Sequence, residues 1–207
     1  MYMPSTLWTT ILQFHTHPDR VMAFLVHRYR QPVVEFSLVQ GLSAEDAEDV
    51  AQEVFIRVCS DRFLKKVDQI RTRFRNVLLA VTKRVIISQR RHQTARIRDR
   101  RRDVALEGDI PTASPPDPEF DRLWVKNLVE QAMESLDADV AMQALRLHLK
   151  GLSYQQVAEA LGKKATDVTN LLHRARVRLR REIERLIAEY SPREDIDEEI
   201  AALRRFL

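Results

Sequence analysis

A single cysteine, Cys59, in 207 residues excludes any internal disulfide framework and fits a reducing compartment. It falls in an apolar helical phase, where a packed thiol is expected and a nucleophile is not. Glycine is nearly as scarce. Gly41, Gly108, Gly151 and Gly162 are the full set, which excludes a glycine-rich loop for cradling phosphate. No stretch approaches the roughly 20 apolar residues of a membrane span. The patch from Leu7 to Phe14 is broken by Thr9, Thr10 and Gln13 and has no cationic leader. The six histidines are scattered, and His15 with His17 makes only a pair, which is too few for a metal site. No Ser-His-Asp constellation stands out. These absences argue against an enzyme, a metal centre or a bound cofactor, and the expectation is a cytoplasmic protein with no membrane partner.

What is present is charge, and it is unevenly placed. Thirty-four Lys and Arg stand against 30 Asp and Glu, a net charge of only +4, with a sequence pI near 9.4. The acidic and basic residues are segregated along the chain, which points to more than one partner surface. The length suits one large domain or two small ones, and two is the expectation.

The stretch from Ser153 to Arg181 predicts a helix-turn-helix. Ser153 with Gln156 has capping-box spacing, Val157, Ala158 and Leu161 repeat at helical intervals, and Gly162 ends that helix. In the second helix Val168, Leu172, Ala175 and Leu179 share one face, while His173, Arg174, Arg176, Arg178, Arg180 and Arg181 crowd the others. Such a helix can back onto its partner and present cations to the major groove and its phosphates. An arginine-rich wet face on an ordinary bundle helix has the same pattern.

From Pro18 a helical pattern with Val21, Phe24, Leu25 and Tyr29 on one face continues past Pro32, as one bent helix or a pair. Ser43 then caps a helix whose stripe is Ala47, Val50, Ala51, Val54, Phe55, Val58 and Cys59. Its other face carries Asp46, Asp49, Gln52, Glu53 and Arg57, either a solvated surface or a dock for a basic partner. A third pattern, from about Thr72 to His92, places Phe74, Val77, Leu78, Val81, Val85 and Ile86 inward. Arg73, Arg75, Lys83, Arg84, Arg90 and Arg91 are expected outward. Arg96, Arg98, Arg100, Arg101 and Arg102 extend the charge into a tract that reads as a solvated or a phosphate-tracking arm. Residues 107–118 hold four of the eight prolines and predict a linker. Beyond it, Phe120, Trp124, Leu128, Ala132, Met133 and Leu136 mark one helix and Val140, Ala144, Leu145 and Leu149 another, expected to supply the core for the helix-turn-helix. After Pro192, Ile196, Ile200, Leu203 and Leu207 predict a short amphipathic helix that docks on the second domain, docks on a partner or serves as a structural end cap.

The order DAEDVAQEVFIRV, RFRNVLLAVTKRVIISQRR, a linker, GLSYQQVAEALG and LLHRARVRLRR closely resembles the bacterial extracytoplasmic-function sigma factors, over about residues 18–190. The resemblance implies an all-α protein of two small helical domains on a flexible linker, the second a helix-turn-helix domain. It places an N-terminal segment at 1–17, a region 2-like domain at 18–92, a basic then proline-rich linker at 93–120, a region 4-like domain at 121–190 and a tail at 191–207. It implies core RNA polymerase and promoter DNA as partners, with room for an anti-sigma protein. Asp46, Asp49, Gln52 and Glu53 would meet the polymerase. Arg73, Arg75, Lys83, Arg84, Arg90 and Arg91 would serve the −10 element, and Lys164, Thr166, Thr169, Asn170, His173, Arg174 and Arg176 the −35 element.

The chain departs from that family in three places. Val77 and Leu79 stand where a Trp and a Tyr usually offer stacking surfaces to exposed bases. Lys164 stands where a small polar residue caps the recognition helix, so that Thr166 is expected to shift the cap by about half a turn. Thr169 and Leu171 replace a basic pair, which leaves Thr169, Asn170 and Leu171 as the expected base contacts. A helix-turn-helix regulator, or a sigma-like protein that has lost promoter opening, is the alternative reading.

Overall fold

Apolar residues at helical spacing account for nearly every element of the computed structural model, which describes residues 11, 13, 16–60, 74–98, 114–136, 139–191 and 196–204, with backbone alone at 92–98. Among the described residues eight helices follow in order: α1 (Pro18–Val39), α2 (Ala44–Val58), α3 (Phe74–Arg98), α4 (Pro118–Ser135), α5 (Val140–Leu149), α6 (Tyr154–Leu161), α7 (Ala165–Tyr190) and α8 (Ile196–Leu203). The class is all-α. The expected positions at Arg73, in the tract beyond Arg98, in the linker before Ser114 and at Leu207 lie outside the described residues.

The chain divides into two compact units. One is drawn from Met1–Asn127 and Ala188–Leu207, the other is Leu128–Ile187, and both divisions fall within helices, α4 and α7. In the first unit α1, α2 and α3 pack on one another. Helix α1 runs unbroken through Pro32. Helix α2 opens at Ser43, whose hydroxyl accepts the Asp46 amide at 3.1 Å, and Glu45 and Asp46 sit at its positive end. Its stripe of Ala47, Val50, Ala51, Val54, Phe55 and Val58 is buried as the spacing predicts. Cys59 is buried with it, and burial pushes its thiol up to about 12, as befits an inert packed group.

Phe120 and Trp124 were expected beneath the helix-turn-helix, but they join the aromatic core of the first unit. Tyr29 stacks on Trp124 with ring centroids 5.3 Å apart, Phe120 meets Phe36 edge-on at 5.3 Å, and Trp124 meets Tyr190 edge-on at 5.4 Å. Large flat side chains gain from such offset and edge-to-face contacts beyond the area they bury. The tail helix α8 also belongs to this unit. Glu199 and Leu203 are its buried residues.

Asp117 fixes where α4 begins. Its Oδ1 accepts the Glu119 amide at 3.1 Å and the Phe120 amide at 3.4 Å, and its Oδ2 meets Lys83 Nζ at 2.8 Å. Burial opposes the charge, but the Lys83 ammonium and the two amides outweigh it and hold the carboxyl below the usual range. A depressed carboxylate contributes stability above its unfolded pKa and loses it as pH falls through the folded value. Asp117→Asn, which keeps a capping oxygen, should therefore melt below the native chain at neutral pH and converge on it once pH falls through the depressed Asp117 value. Asp117→Ala should cost about 1 kcal/mol more from the lost cap. Thermal melts across pH measure both.

Candidate nucleic-acid interface

The helix-turn-helix forms as its sequence dictates. Ser153 Oγ accepts the Gln156 amide at 3.3 Å while Gln156 Oε1 accepts the Ser153 amide at 2.9 Å, a complete capping box at the start of α6. Gly162 ends the helix at φ 61°, a left-handed conformation open to glycine at little cost. The expected shift of the next cap to Thr166 does not occur. Helix α7 starts at Ala165, and Asp167 turns back to accept the Lys164 amide at 3.3 Å, the reciprocal half of a capping box, while lysine at the cap position offers no acceptor for the first-turn amides.

Behind this turn Ala141, Met142, Ala144, Leu145, Val157, Ala158, Val168, Leu171, Leu172 and Ala175 form one buried cluster, edged by Met133, Leu136, Leu147, Leu152, Leu161 and Leu179. Leu171 belongs to it at 5% exposure, which removes it from the expected base contacts. Val140 and Leu149, expected inward, are exposed. Ser135 Oγ donates to Glu182 Oε1 at 2.8 Å, Arg146 donates to the Met133 carbonyl at 2.7 Å, and Arg178 pairs with Asp139, the residue that caps α5. Arg178 is thereby engaged within the unit.

With its apolar stripe buried, α7 presents Thr166, Thr169, Asn170, His173 and Arg174 at i, i+3, i+4, i+7 and i+8, all exposed. Lys164, Arg176, Arg180 and Arg181 are exposed around them. Polar side chains able to reach base edges thus lie between cations able to reach phosphates. Among the described residues no group of three His, Cys, Asp or Glu side chains is placed to hold a metal.

In this same segment, residues 126–179 match the family described as sigma-70, region 4. Over 160 residues the chain is 26% identical to the ECF RNA polymerase sigma factor SigE of Mycolicibacterium smegmatis, an alignment covering 75% of this chain and 59% of that relative. Both matches point the same way: the chain is similar to the extracytoplasmic-function sigma factors of the sigma-70 family. It therefore spans somewhat under two thirds of the length of this relative.

The cations expected on α3 do not share one fate. Arg91 is exposed, Arg84 is half-buried, Lys83 binds Asp117, and Arg90 donates to the Gln40 carbonyl at the end of α1. Arg75 is not outward at all. At 2% exposure it lies against Asp121 of α4 and Glu199 of α8. It follows Phe74 and precedes Val77, Leu78 and Leu79, a run of α3 buried almost all round, so a charge in that phase must find its anions inside. Val77 and Leu79, at 0% and 1% exposure, are core residues and offer no stacking face.

On α2 the acidic residues also divide. Asp46 is committed to structure, accepting from Ser43 Oγ and from Gln89 Nε2 of α3, both at 2.8 Å. Glu53 accepts from Arg57 Nε at 2.6 Å. Asp49 and Gln52 are exposed. Sequence reasoning missed Ile56, which is 58% exposed on the face of Asp49, Gln52 and Glu53. Its signal was an aliphatic residue at i+3 and i+4 from Glu53 and Gln52, off the buried stripe.

The division between scaffold and surface on α7 is directly testable. Leu171→Ala should cost about 2–5 kcal/mol in unfolding free energy, whereas Thr169→Ala should stay within about 0.5 kcal/mol. Chemical denaturation of both variants provides the measurement.

Proposed function

We propose that this chain is an alternative sigma factor: it binds core RNA polymerase and directs transcription from a defined class of promoter, and so works in the cytoplasm without cofactor. The observation that carries the reading is the exposed face of Thr166, Thr169, Asn170, His173 and Arg174 on α7, inside the segment that matches sigma-70 region 4. Thr169, Asn170 and Thr166 read base edges of the −35 element, while Lys164, His173, Arg174 and Arg176 hold its phosphates. Lys83, Arg84, Arg90 and Arg91 on α3 serve the −10 region, and Asp49, Gln52 and Glu53 meet a basic surface of the polymerase. Ile56 adds an apolar contact at the centre of that dock, where a desolvated aliphatic contributes more than rim charges do. Asp46 supports this face through its bonds to Ser43 and Gln89 instead of contacting the partner. Run-off transcription with purified core polymerase on a genomic library is the direct test: discrete promoter-dependent transcripts support the assignment, and none above the core-only background refutes it.

The burial of Val77 and Leu79 favours a second reading, a DNA-binding regulator of this family that does not open promoters. A polymerase pull-down identifies a regulator that does not bind polymerase, and permanganate probing of the promoter complex identifies a polymerase-binding chain that has lost strand opening.

The polymerase dock makes a specific demand. Asp49→Arg or Glu53→Arg should weaken core binding at least about tenfold by placing like charges together, and Ile56→Ala should weaken it by a smaller factor. Helicity should be unchanged in all three, because none of these side chains lies in the buried stripe. Titration of labelled chain with core polymerase reads the affinities.

The DNA surface predicts two classes of variant. Arg174→Ala and Arg176→Ala should weaken binding to all duplexes alike and lower the slope of log affinity against log salt by about one unit each. Thr169 and Asn170 substitutions should change which sequences are selected and leave that slope intact. Selection from a randomised duplex pool, combined with salt titration, distinguishes them.

A further inference from the structure

The tail helix α8 places a carboxylate in the fork of an arginine on α3. Arg75 Nε donates to Glu199 Oε1 at 2.8 Å and Arg75 Nη2 donates to Glu199 Oε2 at 3.1 Å, a bidentate pair between residues 124 positions apart. The same carboxylate accepts the Tyr190 hydroxyl at 3.2 Å, and Tyr190 accepts Trp124 Nε1 at 3.1 Å. Burial, together with the adjoining Glu199 charge, raises the Tyr190 pKa well above its ordinary value, so the phenol stays protonated and remains a donor. All of these groups lie in the first unit. A guanidinium fork that accepts a carboxylate in this geometry accepts a phosphate in the same way.

We propose that α8 is a cis-acting pseudo-ligand, with Glu199 filling the Arg75 anion site that a phosphate of promoter DNA takes when the tail is displaced.

Two observations make the tail displaceable and not merely structural. Arg75 has a second partner, Asp121, through Nη1, so departure of Glu199 does not strand a buried cation. The hold is also narrow. Among the described residues of the tail, Glu199 and Leu203 are the buried ones, and a helix of eight residues has little stability of its own in water. The tail thus couples DNA binding by α3 to its own release: any partner that captures α8 raises the DNA affinity of the first unit, and DNA in turn loosens α8.

The inference rests on the proposed DNA-facing role of α3, and the experiment separates the two. In the full chain, Glu199→Gln and a truncation before Ile196 should each tighten binding to a −10-containing DNA fragment about tenfold, the gain expected when a competent state held near one part in ten becomes dominant. Asp197→Asn, an exposed neighbour on α8, should leave affinity unchanged. Arg75→Gln placed on Glu199→Gln should abolish the gain. Hydrogen exchange adds an independent readout: saturating DNA should deprotect the amides of 196–203 in the native chain. Unchanged affinity in a folded Glu199→Gln chain, or unchanged protection of α8 at saturating DNA, overturns the proposal and leaves α8 as a structural cap. If Arg84→Ala and Arg91→Ala also leave DNA affinity untouched, the DNA role of α3 itself has failed. If they weaken it while Glu199→Gln changes nothing, only the pseudo-ligand has failed.

Discussion

A guanidinium taken almost wholly out of water needs anions beside it, and the first unit is arranged around meeting that need for Arg75. Asp121 is the fourth residue of a helix that starts at the far side of the proline-rich stretch, and Glu199 comes from the last of the described helices. Bringing both to one side chain draws Phe120, Trp124 and Tyr190 into the aromatic core beside Tyr29 and Phe36. The ion pairs hold register and the aromatic rings supply burial. Buried ion pairs contribute little net stability against a well-packed apolar alternative, and such a cluster is therefore better suited to specifying an arrangement than to strengthening it.

The second unit solves a simpler problem. Its recognition helix must show a cationic and polar face to water, so its stability comes from the opposite stripe packed on α5 and α6. Three local devices set the angle of that face: the Ser153–Gln156 box, left-handed Gly162 and the Asp167 return to the Lys164 amide. None depends on a residue outside the motif. A surface assembled from neighbours in sequence can vary its exposed residues without disturbing its support, and the exposed Thr169 and Asn170 stand beside buried Val168 and Leu171 on those terms.

Much of this was readable before any coordinates, for a physical reason. Helix boundaries, caps and apolar stripes depend on contacts within a few residues, and periodicity reports such contacts directly. The Ser43 and Ser153 caps, the stripe of α2, the buried thiol of Cys59 and the cationic outer face of α7 are all of this kind. So is the order of motifs that resembles the extracytoplasmic-function sigma factors.

Tertiary structure alone decided the positions whose environment is supplied from far along the chain. Charged residues are assigned to the surface by default because isolated burial of a charge is costly, and periodicity cannot see an acid 46 or 124 residues away that removes the cost; this is why Arg75 faces inward. The same blindness applies to Phe120 and Trp124, whose apolar phase fits any core and does not say which, and to α8, whose amphipathic pattern requires a dock without naming it. Leu171 and Ile56 show the converse at single-residue scale: on a helix with a wide apolar arc, the width of the neighbouring elements determines whether the residue at its edge is core or surface.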